Sequence, residues 1–198
     1  MPPRWIALEG GEGSGKSTQA RLLAERLGAV LTREPGGTRV GERVRALLLD
    51  PTVVGLDARA EALLMAADRA QHVAEVVRPA LAGGRSVVSD RSAWSSLAYQ
   101  GHGRGLGVEA VRHVCDWATD GLWPDLAVLL DVPADERSAR MQDPPDRMES
   151  AGVAFHAAVA DGFRSLAAAS PDRWAVVDGA GEVLEVFERV VAAVGPLG

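Results

Sequence analysis

Residues 10–17, with the sequence GGEGSGKS, match the spacing G-x-x-x-x-G-K-[ST]. Loops of this kind surround a polyphosphate with backbone amides, while the lysine reaches the phosphate oxygens and the last hydroxyl ligates Mg²⁺. Lys16 is the only lysine among the 21 basic residues of the chain, so its compact charge stands where a phosphate loop needs it. The residues predicted to bind ATP are Gly10, Gly11, Glu12, Gly13, Ser14, Gly15, Lys16, Ser17 and Thr18.

Glu12 is unexpected in this loop, because a carboxylate beside bound polyphosphate repels it unless a metal, an arginine or a hydroxyl lies between them. We therefore interpret Glu12 as a contact across the boundary between the phosphate donor and a second ligand. Its candidate partners are a hydroxyl of that ligand, a Mg²⁺-bound water or an arginine from a closing lid.

Three further clusters carry groups suited to a second binding site. TREPGG, from Thr32, ends an apolar run, and the arginines that follow it would repel one another unless an anion brought them together. SDRSAWSSLAYQG, from Ser89, places hydroxyls and an amide one helical turn apart, as needed to recognise a base and a sugar. DERSARMQDPPDRMES, from Asp135, is a charged segment broken by prolines, and it suits a lid that closes arginines over a phosphoryl group.

Met65, Arg69 and His72 lie between the first and second of these clusters, at a spacing that puts them on one helical face. Arg69 is hard to bury without an anion. His72 is better explained as a histidine with satisfied hydrogen bonds than as a catalyst.

Apolar runs alternate with helical patterns along the chain, which predicts a three-layer α/β domain with a parallel sheet. The predicted strands cover residues 5–8, 29–33, 86–90, 126–132 and 174–178. The predicted helices cover residues 19–27, 40–49, 58–77, 92–99, 108–119, 152–169 and 182–194. Ligands bind beyond the carboxyl ends of such strands, so the phosphate loop, TREPGG and the Asp-Arg pair at 90–91 should share one cleft.

Length and composition limit the class of protein. A chain of 198 residues fits one domain spanning 1–198, with the phosphate loop at 10–17 and the lid at about 140–151. The net charge of −6 argues against nucleic-acid binding through a broad basic surface. A single cysteine and the lack of a long apolar run predict a cytoplasmic protein that binds no membrane.

The motifs together resemble one family. EGGEGSGKST from Glu9, TREPGG from Thr32, Asp90-Arg91, SSLAYQG from Ser95 and DRME from Asp146 are similar in type and order to those of bacterial thymidylate kinases. The resemblance implies phosphorylation of dTMP to dTDP with Mg-ATP, for dTTP synthesis. It also implies a five-stranded parallel sheet of order 2-3-1-4-5 with helices on both faces and a lid, and a homodimer.

The resemblance further implies roles for individual residues. Those expected to bind the acceptor nucleotide are Glu34, Arg45, Met65, Arg69, Arg91, Ser95, Tyr99 and Gln100. Those expected to take part in catalysis are Lys16, Glu12, Arg91, Arg140 and Arg147. Mg²⁺ is expected at Ser17 and Asp90.

Within the acceptor set, Arg45, Arg69 and Arg91 would hold the monophosphate, and Gln100 would bond the thymine edge. Tyr99 would lie beside the deoxyribose and exclude a 2′-hydroxyl, with Ser95 near the base.

The chain departs from the family pattern at three positions. Ser92 follows Asp90-Arg91 where an aromatic residue or histidine is common, and Met65 replaces a phenylalanine that stacks on thymine. Gln142 stands where some relatives have a further arginine, in a lid that is short. A thioether packs on a base with less directional preference than a ring, so looser base recognition is expected.

Two other functions fit part of the same pattern. A deoxynucleoside kinase shares the loop and the acidic-Arg-Ser motif, and would phosphorylate thymidine instead of dTMP. A nucleotide-binding regulator that has lost transfer would bind ATP without acceptor-dependent ADP release, with Ser92 and Met65 as marks of decay.

Overall fold

The fold was analysed in a computed structural model, which describes residues 2–141 and 144–195. Five strands form one parallel sheet in the order β2-β3-β1-β4-β5, as the resemblance implied. The strands are β1 Trp5–Glu9, β2 Val30–Arg33, β3 Val87–Asp90, β4 Leu126–Asp131 and β5 Trp174–Asp178. Each predicted strand is present, with ends that differ by at most one residue. The three central strands, β1, β3 and β4, are buried along nearly their whole length, as expected where both faces of a sheet are covered.

The helices follow the predicted alternation. They are α1 Lys16–Leu27, α2 Arg39–Leu49, α3 Ala58–His72, α4 Arg78–Ala82, α5 Ala93–Ser96, α6 Val108–Thr119, α7 Ala134–Arg140, α8 Val153–Ala169 and α9 Val183–Val194. A π-helical turn at Val73–Val77 joins α3 to α4, and Glu149–Ala151 forms a 3₁₀ turn. None of the helices in the described ranges has the length and apolar character needed to cross a membrane.

The helices cover the sheet in two layers. One core joins α1 and α9 to the side of the sheet that carries Ile6, Leu8 and Val128. The other joins α5, α6 and α8 to the opposite side, where Leu129 packs near Trp94. Side chains alternate along a strand, so β4 contributes to both cores, while β1 and β3 contribute to the first core and, through Trp5 and Val87, to a smaller cluster with Val73 and Val77. Helices therefore pack on both faces of the sheet, which confirms the three-layer arrangement.

The predicted helix at 92–99 is the one that differs most from its prediction. It begins with α5, which Ser92 caps by accepting a hydrogen bond from the amide of Trp94, and then widens into a π-helical segment, Leu97–Gly103. π-helical turns are frequent at functional sites because the wider turn redirects side chains. Here the widened turn carries Tyr99 and Gln100.

Candidate active site

The carboxyl ends of β1, β2 and β3 meet at a cavity of about 550 Å³, where the sequence places the cleft. Its wall comes from the phosphate loop, TREPGG, α3 and the segment that follows β3. The predicted site residues that line it are Glu12, Lys16, Ser17, Glu34, Arg45, Met65, Arg69, Asp90, Arg91, Ser95, Tyr99 and Gln100. Arg140 and Arg147 do not line it.

The phosphate loop leads directly into α1, three residues earlier than the helical pattern predicted. Gly15 adopts a left-handed conformation with φ of 88°, which only glycine adopts without cost, and this turns the chain into the helix. Lys16 Nζ donates to the carbonyl of Gly11 at 2.7 Å, inside the loop that it is predicted to share with phosphate. Burial and the nearby Arg91 lower the pKa of Lys16 to about 8, and a bound anion would raise this pKa again by favouring the charged form.

Ser17 and Asp90 form the candidate magnesium site. The Ser17 hydroxyl donates to Asp90 Oδ2 at 2.5 Å, so a hydroxyl and a carboxylate oxygen meet at the first residues of α1 and the last of β3. Mg²⁺ prefers hard oxygen ligands and usually keeps several waters beside one or two protein ligands. This pair fits that requirement, and it needs no cluster of carboxylates and histidines, of which the described residues contain none.

Arg91 connects the phosphate loop to the acceptor side of the cavity. Its φ of 73° is uncommon for a residue with a side chain, and such backbone strain is concentrated at functional sites. The guanidinium donates to Gly10 O at 3.0 Å, to Ser95 Oγ at 3.1 Å and to the Tyr99 hydroxyl at 2.9 Å, and it pairs with Glu12. The strained backbone thus places one cation against four groups.

Glu12 has a different partner from those predicted. Its carboxylate pairs with Arg91 and accepts from the Tyr99 hydroxyl at 3.1 Å, and among the described residues no hydrogen bond or ion pair joins it to an arginine of the predicted lid segment. Although burial raises the pKa of Glu12, Arg91 and Lys16 lower it to about 2. Arg91 therefore offsets the repulsion between Glu12 and bound phosphate, and Glu12 in turn holds Arg91 at the loop.

Glu9 is a buried acid that sequence reasoning passed over. At the end of β1 it accepts from the hydroxyls of Ser92, at 2.7 Å, and Ser95, at 2.6 Å. Burial raises its pKa to about 7, against the opposing effect of these hydrogen bonds and of Arg91. Ser92, where the resemblance led us to expect an aromatic residue or a histidine, thus donates a hydrogen bond to Glu9. The sequence signal for this buried acid was a carboxylate at the end of an apolar run.

Arg69 is buried, and the anion that its burial requires is a carboxylate of the protein itself. All three guanidinium nitrogens are engaged: Nε with Glu34 at 2.8 Å, Nη1 with Cys115 Sγ at 3.3 Å, and Nη2 with the Ser92 carbonyl and Ser96 Oγ. Four of its five N–H groups are thus bonded to protein partners, although the side chain still lines the cavity. The predicted contact of Arg69 with the acceptor phosphate stays a prediction. The sequence could not identify Glu34 as the partner because the two residues are 35 positions apart.

Glu34 is the centre of this buried group. Its second oxygen accepts from His72 Nδ1 at 2.8 Å, and Thr32 Oγ1 lies 2.8 Å from His72 Nε2. Burial raises the pKa of Glu34, but Arg69 and His72 hold it below its usual value. His72 therefore has both ring nitrogens occupied, as expected for a structural histidine, and Glu34 anchors TREPGG to α3.

A cluster of arginines lies beside TREPGG. Arg45 Nη1 donates only to the carbonyl of Pro35, at 3.1 Å, while burial and the charges of Arg33 and Arg91 lower its pKa. Within the described part of the chain, neither Arg33 nor Arg45 forms a salt bridge. Like charges held together in this way suit an anion such as a phosphate monoester.

Met65 and Gln100 belong to another part of the cavity wall. Gln100 is 1% exposed, and its Nε2 donates to Glu61 at 2.9 Å. Its amide oxygen has no hydrogen-bond partner among the described residues. A buried acceptor without a donor costs free energy, so this oxygen is suited to receive a hydrogen bond from a ligand.

The two predicted lid arginines lie elsewhere. Arg147 pairs with Glu61 at 2.9 Å, and its Nε donates to the carbonyl of Leu48 at 2.7 Å. Arg140 donates to the carbonyl of Gly179 at 3.2 and 3.3 Å. Both guanidinium groups are therefore bound away from the phosphate loop in this structure, and the catalytic role of each stays a prediction. The remaining lid position, Gln142, lies outside the described residues.

Arg137, one helical turn before Arg140, is the arginine that lies on the phosphate loop. A Cβ added to Gly11 would stand 2.9 Å from Arg137 Cζ, and one added to Gly13 would stand 3.2 Å from its Cα. Gly13 is therefore required for the close approach of the α7 backbone, whereas at Gly11 the Arg137 side chain could move aside. The sequence showed the arginines of α7 but not which of them faces the loop, since that depends on how the helix is rotated.

A phosphate loop, an adjoining hydroxyl–carboxylate pair and an arginine cluster in one cleft of a parallel α/β sheet define a phosphoryl-transfer enzyme that acts on nucleotides. Comparison with known proteins identifies the family. The protein-family model described as "Thymidylate kinase" matches residues 8–190 of the sequence. The chain therefore belongs to the thymidylate kinase family.

Individual relatives agree over the full length. The chain is 49% identical to a thymidylate kinase of Synechococcus sp. (strain JA-3-3Ab), with 97% of this chain and 95% of the relative covered. It is 47% identical to one of Rhizorhabdus wittichii, with coverage of 100% and 99%. Among solved structures, a thymidylate kinase from Ehrlichia chaffeensis superimposes with a TM-score of 0.80 and 32% identity, over 98% of this chain and 100% of the other.

Proposed function

We propose that this chain phosphorylates dTMP to dTDP with ATP, the reaction of its family, and that the cavity at the strand ends holds dTMP beside the phosphate loop. One observation carries this assignment: a single cavity is lined by Lys16 and Ser17, by the arginines beside TREPGG, and by Gln100, whose amide oxygen has no partner within residues 2–141 and 144–195. Donor, acceptor phosphate and acceptor base each have a matching group there. As a nucleoside monophosphate kinase, the chain works as one domain over residues 1–198.

The donor site follows from the loop. The amides of residues 10–18 surround the phosphates of ATP, and Lys16 exchanges its hydrogen bond with the Gly11 carbonyl for the β and γ oxygens. Arg137 stands over Gly11 and Gly13, and we assign to it the cationic role first expected of Arg140.

Magnesium belongs to the donor site. Ser17 and Asp90 would hold the ion, which when bound neutralises charge on the β and γ phosphates. The protein groups alone then have to fix the position of the nucleotide and exclude water from it.

The acceptor phosphate is held by Arg45 and Arg91, with Arg33 beside them. Arg69 instead keeps Glu34, and through it TREPGG, in place. No protein base is needed for transfer, because a phosphate monoester is already ionised near pH 7. The enzyme has to align donor and acceptor and to stabilise the negative charge on the transferred phosphoryl group. Lys16 and Arg91 supply the positive charges for this stabilisation.

The nucleoside is held at the other part of the cavity. The oxygen of Gln100 accepts the N3–H of thymine, and the thioether of Met65 packs on the base. Tyr99 is fixed by Arg91 and Glu12, so its ring limits the space beside the sugar. Ser95 supports this arrangement through Arg91 and Glu9.

Two wider properties belong to the same proposal. The surface of three neighbouring helices carries exposed apolar side chains, since α3 packs against both α2 and α6. These side chains are Leu47, Leu63 and Trp117, and the apolar surface that they form supports a homodimer. The mass in solution, measured by light scattering, tests it. A cytoplasmic location agrees with the single buried thiol of Cys115.

The function is tested by measuring ADP release with ATP, Mg²⁺ and one acceptor at a time. Turnover with dTMP and little with thymidine supports the assignment. Turnover with thymidine but not dTMP favours a deoxynucleoside kinase. ATP binding without any acceptor-dependent ADP release indicates a regulator.

A further inference from the structure

A buried carboxylate stands behind the base end of the cavity. Glu61 lies on α3 and is 1% exposed, yet it is not among the residues that line the cavity. Its carboxylate receives hydrogen bonds from Arg104 Nε at 3.1 Å, Arg104 Nη2 at 2.9 Å and Gln100 Nε2 at 2.9 Å, and an ion pair from Arg147 at 2.9 Å. Two arginines therefore keep this acid ionised in the protein interior.

The charge of Glu61 fixes the orientation of Gln100. An ionised carboxylate accepts hydrogen bonds and donates none, so only the NH₂ group of the Gln100 amide can face it. The amide oxygen must then point the other way. That oxygen is buried, has no partner among the described residues, and belongs to a side chain that lines the cavity. The ion-pair cluster thus determines that the cavity is offered an acceptor and not a donor.

This orientation discriminates between pyrimidines. Thymine and uracil carry N–H at ring position 3, which an amide oxygen can accept, whereas cytosine carries a lone pair there. Opposed lone pairs leave two polar groups without partners, and sites built to bond a polar group discriminate strongly against an analogue that lacks it. Base choice would then depend on the direction in which one amide is held.

We propose that Glu61 is a specificity-determining positioning residue: by holding Gln100 through its NH₂ group, it selects acceptor nucleotides whose base carries N–H at position 3. The inference rests on the proposed function, since it needs a pyrimidine monophosphate in this cavity. It gives Arg147 and Arg104 a role that the lid hypothesis did not, namely to compensate the charge of Glu61. Arg104 is further held over the ring of Phe155, 4.3 Å from its centroid.

Glu61→Gln tests the proposal, because a glutamine can donate as well as accept and so permits both orientations of the Gln100 amide. The readout is the ratio of kcat/KM for dUMP to that for dCMP, two acceptors that share the sugar, the phosphate and the absence of a methyl group. We expect Glu61→Gln to lower this ratio about tenfold or more, which corresponds to one hydrogen-bond difference. Glu109→Gln, the same change at a side chain that is 78% exposed on α6, should leave it unchanged.

A merely structural role for Glu61 predicts another result, with kcat/KM falling in parallel for both nucleotides at a constant ratio, and that outcome would overturn the proposal. If Glu61→Gln does not fold, the double variant Glu61→Gln/Arg147→Met is measured in the same way. It removes one of the two arginine charges together with the carboxylate and so keeps the net charge of the cluster. The two hypotheses fail separately. A wild-type enzyme without dTMP turnover refutes the proposed function, whereas dTMP turnover with an unaltered dUMP:dCMP ratio in the variant refutes only the role of Glu61.

Discussion

Glu9 makes the stability of the ligand-free protein dependent on pH. Its side chain is fully buried, and burial raises its pKa from 4.5 to about 7. The folded protein therefore retains a proton on Glu9 that the unfolded chain releases, and stability falls as the pH rises from 4.5 through about 7. The shift corresponds to about 3 kcal/mol in total, of which about 2 kcal/mol falls between pH 5 and pH 7.5.

Glu9→Gln removes this titration while keeping a side chain of the same size beside Ser92 and Ser95. We expect the free energy of unfolding of wild type to drop by about 2 kcal/mol more than that of Glu9→Gln between pH 5 and pH 7.5. Glu12 does not contribute in this window, because its pKa is lowered to about 2 and its effect appears only as the pH falls below 4.5. Lys16 has a pKa of about 8, so it begins to lose its proton only near the upper limit of this pH range.

The measurement is urea unfolding of both proteins at a series of pH values without nucleotide, with Glu25→Gln on the exposed side of α1 as the matched control. The control should follow wild type at every pH. Parallel curves for wild type and Glu9→Gln would refute the reasoning, since they would mean that Glu9 is ionised in the folded state over the whole range despite its burial.

Two further predictions concern the charges of Arg137 and Glu34. Arg137→Ala should lower kcat/KM for ATP about tenfold or more, the worth of a charge-assisted hydrogen bond, whereas Arg140→Ala should change it much less; equal effects in steady-state assays would contradict the placement of Arg137. Glu34→Gln should destabilise the fold by about 3 kcal/mol in urea unfolding, because it leaves the buried charge of Arg69 without its anion, and Glu42→Gln on exposed α2 is its control. A loss below about 1 kcal/mol would show that the pair is dispensable.

The strands and the cleft were predictable because they depend on local pattern. A parallel sheet covered on both sides requires strands that are apolar throughout, and the phosphate loop marks where the first of them ends. The family motifs then gave the strand order and the acceptor side of the cleft. All eight residues predicted to bind the acceptor line the cavity for this reason.

The partners of the arginines could not be predicted in the same way. Arg69 meets Glu34, and Arg147 meets Glu61, across large separations in sequence, and nothing in the local pattern says which acid will be buried with which base. The choice between Arg137 and Arg140 depends on the rotation of one short helix against the loop. Such information resides in tertiary packing, which a single sequence does not display.

The arginines around the cavity separate into two groups with different physical tasks. The first group, Arg69, Arg104 and Arg147, has buried carboxylate partners, and these ion pairs hold the residues that form the wall of the site in place. Arg33 and Arg45 have no such partner among the described residues, so an anion from outside would relieve the mutual repulsion that Asp90 and Asp146 offset only in part. Arg91 belongs to both groups, since it is paired with Glu12 and still faces the cavity. A carboxylate in the phosphate loop therefore makes sense: it holds the shared arginine at the boundary between donor and acceptor, where charge develops during transfer.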